Sequence, residues 1–268
     1  MSKKLPIVCY LFTGFDNNNS LTKFITNYKK YKSGYKHDLI VCFKLIPNEK
    51  INYLTKKLST IEHKLFIDPE KKNDWDFGSY RRIAKKYKNK IIFFMNSHSY
   101  PVTNNWLRKM MKHFKTKTII SSSGSYESIT NQVKLKRPYN LFSFFKKKVK
   151  AKKTFFKFPN PHLNTSSFLI KSDDFLKFLG NRSFNNKYET WKVESGFNSL
   201  TNYFKRKKYK LLVINSDGKK FDENNWMFSE TFYYKNQSKT LISDKHSRKY
   251  LKLDNFNKKK SQLAVWGI

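Results

Sequence analysis

The chain has 268 residues, of which 38% are hydrophobic and 17% aromatic, and this apolar content is sufficient for the core of one large domain or two small ones. Lysine and arginine outnumber aspartate and glutamate by 56 to 19, giving a formal net charge of +37 that favours polyanionic partners such as nucleic acid, anionic lipid or phosphorylated substrates. Only 7 of the basic residues are arginine. Because arginine makes the bidentate contacts that read guanine and phosphate, a base-reading protein is disfavoured.

The sequence shows no pattern for a membrane span, for secretion or for a disulfide framework. No stretch approaches the roughly 18 uninterrupted apolar residues of a transmembrane helix, and residues 1–9 lack a signal-peptide pattern. The two cysteines, Cys9 and Cys42, each lie inside an apolar run and are interpreted as small core residues. We therefore expect a globular, cytoplasmic protein.

The first part of the chain alternates between apolar runs of strand length and segments of helical periodicity. The run LPIVCYLF at 5–12 predicts a strand, and the following helix is expected to begin behind Ser20 as its cap. DLIVCFKLI at 38–46 and KLFI at 64–67 predict two further strands, with a helix between them after Pro47. This is the strand and helix alternation of an α/β protein.

The same alternation continues to about residue 125. DWDFGSYRRIAKKYK at 74–88 predicts a loop and a helix, and KIIFFM at 90–95 predicts the next strand. A helix from about Trp106 to Phe114 precedes the strand KTIISSS at 117–123. Because parallel strands need crossover connections, the predicted fold class is α/β, with a mainly parallel sheet flanked by helices.

Polar clusters follow three of these strands, where ligands bind in such sheets. They are TGFD at 13–16, DPEKKNDWDFGSY at 68–80 and NSHS at 96–99. Asp76 offers hydrogen-bond acceptors to a bound ligand, and Gly78 would allow close backbone approach at the start of a helix. The structural alternative for Asp76 and Gly78 is an ordinary helix cap.

This order of elements, with an Asp-x-Gly loop that opens a helix and a strand that ends in polar residues, resembles the GT-A glycosyltransferases. The resemblance covers residues 1–125 well and the second half loosely, and it implies a nucleotide-sugar-binding half at 1–125 and an acceptor-binding and catalytic half at 126–268, within one GT-A domain overall. The donor-binding residues that it implies are Thr13, Asp76, Gly78, Ser79, Tyr80, Asn96, Ser97 and His98.

The polar strand end departs from the family pattern at the metal site. GT-A enzymes carry Asp-x-Asp there, whereas this chain has Asn96, Ser97 and His98, so the two hard carboxylates that would hold Mg²⁺ or Mn²⁺ are missing. The sequence does not establish a cofactor. His98 is the one candidate metal ligand in this pattern, and nearby lysines are the alternative means of neutralising a diphosphate.

The second half supplies the catalytic and acceptor-side predictions. In WKVESGFNSLT, Glu194 is expected to open a helix, and the resemblance places it where the family has the base that accepts a proton from the attacking hydroxyl in an inverting transfer. The alternative is a first-turn glutamate that interacts favourably with the helix dipole. The predicted acceptor-side residues are His162, Asn164, Trp191 and Ser195, although a loop role is sufficient for His162 and Asn164.

A basic and aromatic segment at about 133–158 is predicted as an insertion. Its lysines and phenylalanines suit an anionic membrane surface, and a mobile basic loop is the alternative. The sequence therefore favours a cytoplasmic, membrane-associated glycosyltransferase that moves a sugar from a nucleoside-diphosphate sugar to a hydroxyl of a growing glycan, of the cell-surface polysaccharide type. Two other classes stay open: a catalytically silent glycan-binding or scaffold relative, and a basic nucleic-acid-binding protein.

Overall fold

The computed structural model describes residues 5–132 and 141–268, which form twelve strands and eleven α-helices. The strands are β1 (Ile7–Thr13), β2 (Asp38–Lys44), β3 (Lys64–Ile67), β4 (Ile91–Met95), β5 (Tyr100–Pro101), β6 (Thr118–Ser121), β7 (Gly124–Ser125), β8 (His162–Leu163), β9 (Ser167–Lys171), β10 (Lys210–Ile214), β11 (Lys220–Phe221) and β12 (Ile242–Ser243). The helices are α1 (Asn18–Lys30), α2 (Asn48–Leu58), α3 (Trp75–Lys86), α4 (Trp106–His113), α5 (Ile129–Gln132), α6 (Leu141–Lys152), α7 (Ser172–Leu179), α8 (Lys187–Ser195), α9 (Leu200–Arg206), α10 (Lys245–Leu251) and α11 (Asn255–Trp266).

Within the described residues, eight strands form one sheet in the order β11-β10-β6-β9-β4-β1-β2-β3. Strand β1 pairs in parallel with β2 and β4, β2 pairs in parallel with β3, and β6 pairs in parallel with β10. Strand β9 runs antiparallel to both β4 and β6, and β11 runs antiparallel to β10. The predicted α/β class, a mainly parallel sheet flanked by helices, is confirmed.

Strand β1 shows why helices cover both faces of this sheet. Successive side chains of a strand point to opposite faces, and both faces of β1 are apolar. Residues Ile7, Cys9 and Leu11 join a core cluster with α3, α7 and α9, whereas the intervening residues join a second cluster with α1, α2 and α4. Both cysteines are free and buried, as expected.

The helix after β1 begins earlier than the sequence pattern indicated. Asn17 is its cap, and the Asn17 side chain accepts a hydrogen bond from the N–H of Asn19 at 2.9 Å. The predicted cap at Ser20 is therefore wrong by three residues, because asparagine caps a helix as well as serine does and occurs first.

The prediction that a helix begins at Glu194 is also wrong. Helix α8 starts behind Asn186, whose side chain accepts from the N–H of Glu189 at 3.1 Å, and it ends at Ser195, so Glu194 lies in the last turn. The pattern WKVES contains no start signal, and the actual cap lies five residues before it.

The two predicted halves contribute to the same sheet. Strands β9, β10 and β11 come from the 126–268 segment, and β9 is inserted between β4 and β6 of the 1–125 segment. Of the predicted insertion at 133–158, residues 133–140 lie outside the described residues, and most of the remainder forms α6. In the described ranges, none of the helices has the length and apolar character needed to cross a bilayer.

Candidate functional site

Two adjoining cavities lie at the edge of the sheet where the parallel strands end. The first, of about 230 Å³, is lined by residues that follow β3 and β4 together with residues of the 126–268 segment, and the second, of about 290 Å³, is lined mainly by the 126–268 segment. Topology explains the location: β9 is antiparallel, so the loop that precedes it meets the loops that follow its parallel neighbours. The two cavities share the lining residues Ser166, Lys187, Trp191, Glu194 and His246.

Three predicted donor-side residues, Asp76, Tyr80 and Asn96, line the first cavity. Asp76 is half-buried in the first turn of α3, and its carboxylate has no hydrogen-bond partner among the residues that the structure describes. Burial raises the pKa of Asp76 to about 6, with Lys44 opposing the rise and the carboxylates of Asp16 and Glu194 adding to it. An unpartnered acid of this kind in a cleft is a candidate ligand-binding group.

Tyr80 adds a second unsatisfied polar group at the same place. Its side chain is 1% exposed, and its hydroxyl finds no hydrogen-bond partner within residues 5–132 and 141–268. Buried polar atoms are normally paired in folded proteins, so an unpaired hydroxyl on the wall of a cavity calls for an explanation, and a bound ligand supplies one.

The side chains of Asn96 and His98 both contact other groups of the chain. The side-chain oxygen of Asn96 accepts hydrogen bonds from the N–H of His98 at 3.2 Å and the hydroxyl of Ser99 at 2.8 Å. His98 Nε2 lies 3.2 Å from Asp16 Oδ1. In the described parts of the chain, no group of three or more His, Cys, Asp or Glu side chains is arranged to hold a metal ion.

Thr13, Ser97 and His98 line neither cavity. The Thr13 hydroxyl donates to Asp16 Oδ2 at 2.5 Å, and this bond holds the carboxylate that faces His98. Burial lowers the pKa of His98; Lys245 and Arg248 add to the decrease, and Asp16 opposes it. Ser97 is buried, and its carbonyl accepts a hydrogen bond from the Tyr10 hydroxyl at 2.9 Å.

Gly78 and Ser79 are buried, and they face a charged cluster and not the cavities. A Cβ atom at Gly78 would overlap the carboxylate of Asp74, and the Ser79 hydroxyl donates to Asp68 Oδ2 at 2.5 Å. The close approach that requires glycine here is therefore made by Asp74. Neither residue lines either cavity, so this geometry does not support the direct contact with a donor that we predicted for Gly78 and Ser79, and that contact stays a prediction.

The charged cluster consists of Lys44, Asp68, Asp74 and Arg82, and it anchors the start of α3. Lys44, 1% exposed at the end of β2, pairs with Asp74 and donates to the carbonyl of Trp75 at 2.6 Å. Arg82 bridges Asp74 at 2.5 Å and Asp68 at 2.6 Å. Burial opposes ionisation of Asp74, but hydrogen bonds from Arg82 and Lys44 outweigh it and lower the pKa of that carboxyl.

We expect Lys44→Met to lower the free energy of unfolding by about 2–4 kcal/mol, because it leaves a partly buried carboxylate with one cation where it had two. Lys64→Met is the matched control, since Lys64 pairs with Asp38 at the exposed surface and is 63% exposed, where an ion pair contributes little. Urea unfolding measures both. Equal stability of Lys44→Met and the wild-type protein would contradict this role for the cluster.

Glu194 lies where the two cavities meet, and the loop before β9 holds one of its oxygens. Glu194 Oε1 accepts hydrogen bonds from the N–H of Thr165 at 3.1 Å and from the Thr165 hydroxyl at 2.8 Å. Glu194 Oε2 has no partner among the described residues. The negative end of the α8 dipole disfavours a carboxylate at this position, and the two bonds from Thr165 offset that effect. The carboxylate is thus oriented by one oxygen and available through the other.

The predicted acceptor-side residues His162, Asn164, Trp191 and Ser195 all line the second cavity. Two of them are tied to the surrounding loops: His162 Nδ1 bonds the carbonyl of Asn160 at 2.8 Å, and Asn164 Nδ2 donates to the Ser123 hydroxyl at 2.9 Å. The Ser195 hydroxyl is directed back toward the carbonyl of Trp191 at 3.4 Å. Trp191 is 37% exposed and lines both cavities.

Several residues of the site escaped sequence reasoning. Lys187 and His246 line both cavities, yet they lie 59 positions apart in polar stretches without a motif. Asp244, which accepts a hydrogen bond from the Ser166 hydroxyl at 2.9 Å, likewise belongs to no motif in the sequence. Lys44 had a usable signal, because it is the one charged residue within the apolar run LIVCFKLI, and a lysine is rarely buried without a partner.

Comparisons with known proteins give fold-level similarity only. No family model matches the chain, and no curated protein matches it significantly. Similar solved structures include a mannosyltransferase from Pyrobaculum calidifontis in complex with GDP-Man and Mn²⁺ (9% identity, TM-score 0.40, covering 72% of this chain and 52% of that one). They also include the apo form of mouse xyloside xylosyltransferase 1 (9%, 0.41, 64% and 68%) and a nucleotidyl transferase from Methanothermobacter (10%, 0.42, 77% and 97%).

The chain thus spans about half of the mannosyltransferase that it resembles. With identities of 9–10% and TM-scores of 0.40–0.42, none of these structures assigns a substrate or an activity here. Similar structures of this kind are glycosyltransferases and nucleotidyl transferases, and the chain itself is an α/β protein with a mostly parallel central sheet and a divided cleft at its carboxyl edge.

Proposed function

We propose that this protein is a glycosyltransferase that moves a sugar from a nucleoside-diphosphate sugar to a hydroxyl group of a growing glycan, with inversion. The observation that carries the proposal is the placement of Glu194. One of its oxygens is fixed by Thr165, the other is unpartnered among the described residues, and the carboxylate borders both cavities at once. A base that serves two bound substrates must lie between them.

The donor is assigned to the first cavity. The unpartnered carboxylate of Asp76 accepts hydrogen bonds from ribose hydroxyls or a base, and the buried hydroxyl of Tyr80 has a free hydrogen-bonding capacity beside it. The side-chain NH₂ of Asn96 is unused in the described structure, because only its oxygen is engaged by the loop. These three groups supply both acceptors and donors, as a nucleoside requires.

The charge of the diphosphate is assigned to side-chain cations. Lys187 lines both cavities, and the imidazole of His246, which also lines both, offers a hydrogen bond. The Arg248 guanidinium donates to the carbonyl of His98 at 3.0 Å. Since the side-chain oxygen of Asn96 and Nε2 of His98 are engaged by other groups, no step of this proposal is routed through a metal ion. Cations placed where negative charge develops stabilise a leaving diphosphate.

The sugar transfer takes place between a donor in the first cavity and an acceptor in the second. An acceptor hydroxyl in the second cavity loses its proton to Glu194 Oε2 as its oxygen bonds the anomeric carbon of the donor sugar. The bond between that carbon and the diphosphate oxygen breaks on the opposite face, and the diphosphate leaves with the bonding electron pair. Trp191, exposed to both cavities, is placed to stack on a sugar ring.

The donor class is tested by thermal shift of the purified protein with UDP-, GDP-, CDP- and dTDP-linked sugars, each with and without Mn²⁺, at one fixed salt concentration. A hundredfold excess over Kd of the correct donor is expected to raise Tm by about 5 °C. Inorganic pyrophosphate is the control for attraction of anions by lysine. Equal shifts with every nucleotide and with pyrophosphate would contradict a nucleotide-sugar site, and strong salt-dependent binding of random duplex DNA would favour the nucleic-acid alternative.

A further inference from the structure

Helix α6 exposes an apolar stripe. Phe142 is 84% exposed, Phe145 57%, Val149 50% and Leu141 49%. At 3.6 residues per turn, these four positions fall within about 100° of the helix circumference, so they form one continuous face. Contiguous apolar faces of this kind on a monomer mark interaction sites.

Lysines border this stripe on both sides. Around the helix, Lys146 falls on one flank of the apolar arc and Lys148 on the other, and Lys152 lies in line with the arc at the C-terminal end of the helix. Helix α6 contains no acidic residue. A helix with aromatic side chains on one face and lysines along its borders lies in the plane of a membrane interface, because the rings enter the acyl boundary and the ammonium groups reach anionic headgroups.

The stripe is exposed although the helix itself is anchored. Ala151 of α6 is 2% exposed and Phe155 just beyond it is 1% exposed. The Tyr188 hydroxyl donates to the carbonyl of Lys150 at 3.1 Å and lies 2.7 Å from the Thr154 hydroxyl, and the Lys150 ammonium lies 4.2 Å from the centre of the Tyr188 ring. The inward face of α6 is therefore occupied, and the phenylalanines project from a fixed support.

That support is also a wall of the cleft. Tyr188 belongs to α8, the helix that contributes Lys187, Trp191 and Glu194 to the two cavities. Any surface that holds α6 therefore lies beside the helix that closes the acceptor side. The contacts of Tyr188 with α6 place the two helices side by side.

We propose that α6 docks the protein onto an anionic lipid bilayer and thereby holds the acceptor-side cavity at the membrane surface. Charge complementarity selects the occupant: Phe142 and Phe145 require an apolar phase, and the flanking lysines require negative charge next to it. Docking itself is independent of catalysis, and only its consequence for the acceptor, a membrane-linked glycan, rests on the proposed function.

The test is flotation of the full-length protein with vesicles of phosphatidylcholine, with and without phosphatidylglycerol. We expect binding to vesicles that contain phosphatidylglycerol and at least about tenfold weaker binding to phosphatidylcholine alone, since each lysine near an anionic surface contributes about 1 kcal/mol. Phe142→Ser/Phe145→Ser is expected to lose about tenfold or more in binding. Both side chains are mainly in solvent, so this variant should fold normally.

Two control variants separate docking by α6 from general attraction of a basic protein. Phe256→Ser removes a phenylalanine of α11 that is 76% exposed, and it should bind as the wild-type protein does. Lys146→Glu/Lys152→Glu should weaken binding more than Lys29→Glu/Lys30→Glu of α1, although both pairs change the net charge equally.

Three results would overturn the proposal. They are equal binding of the Phe142→Ser/Phe145→Ser variant and the wild-type protein, equal losses in the two lysine pairs, and a lipid-free dimer that dissociates in the phenylalanine variant, which would assign the stripe to a second copy of the chain. The donor thermal shift, measured without vesicles, reports separately on the proposed function, so failure of one is distinguishable from failure of the other.

Discussion

Replacing Glu194 with glutamine is expected to lower the rate of sugar transfer by about 10²–10⁴-fold, the usual contribution of a positioned general base. Glutamine is the informative substitution because its side-chain oxygen can still accept the two hydrogen bonds from Thr165 that orient Glu194 Oε1. The fold, the cavities and the binding of donor should therefore be unchanged. Loss of rate with unchanged donor affinity identifies an interaction that operates in the transition state.

Helix α8 offers a matched control for this variant. Glu189 pairs with Lys192 at the surface, with its Oε2 3.0 Å from the lysine nitrogen, and it does not line either cavity. Glu189→Gln changes the net charge by the same amount and should retain full activity. A Glu194→Gln variant that transfers sugar at the wild-type rate would contradict the assignment of the base. If the wild-type protein binds glycan but shows no transfer, the silent glycan-binding alternative is favoured.

The fold was predictable because the two patterns of a parallel α/β sheet, apolar runs of strand length and segments of helical periodicity, are both local in the sequence. Runs such as LIVCF at 39–43 are apolar on both faces, and only a strand covered by helices on each side buries such a run. The insertion of β9 between β4 and β6 was not predictable, because strand order is set by contacts between segments more than 40 residues apart. That insertion brings Thr165 and Ser166 to the cleft.

The position of Asp76 and Asn96 beside a cavity was predictable, because both lie in segments that follow strands of the parallel sheet, whereas their contact with a donor stays a prediction. The site was not predictable where side chains meet only in three dimensions. Gly78 shows the difference: an Asp-x-Gly pattern is compatible with a ligand contact or with internal packing, and only the position of Asp74 decides between them. The role of Lys44 likewise depends on an ion pair with a residue 30 positions away.

Replacing Asp76 with asparagine is expected to stabilise the free protein at pH 7.5 and to weaken donor binding. The folded-state pKa of Asp76 is raised from 3.8 to about 6, so its contribution to folding is fully favourable below about pH 4 and is lost as the pH rises through 6. At pH 7.5 the ionised carboxylate then destabilises the folded state by about 1–2 kcal/mol, after allowance for its partial exposure. Asparagine removes that cost, and the difference between variant and wild type should vanish below pH 4.

Asp74→Asn, two residues earlier, should behave in the opposite way. The pKa of Asp74 is lowered in the folded protein, so its charge stabilises the fold above about pH 4, and the variant should be less stable than wild type at pH 7.5. Urea unfolding of both variants at several pH values measures the two signs.

Donor affinity is the second property that Asp76→Asn should change. Loss of a hydrogen bond to a charged group should reduce donor affinity by about 10–100-fold, and the rise in wild-type affinity as Asp76 ionises near pH 6 should disappear in Asp76→Asn. A purely structural carboxylate would give lower stability at pH 7.5 and unchanged affinity. A residue whose charge destabilises the free protein and strengthens ligand binding is one whose position is explained by the ligand, because folding alone would favour its replacement.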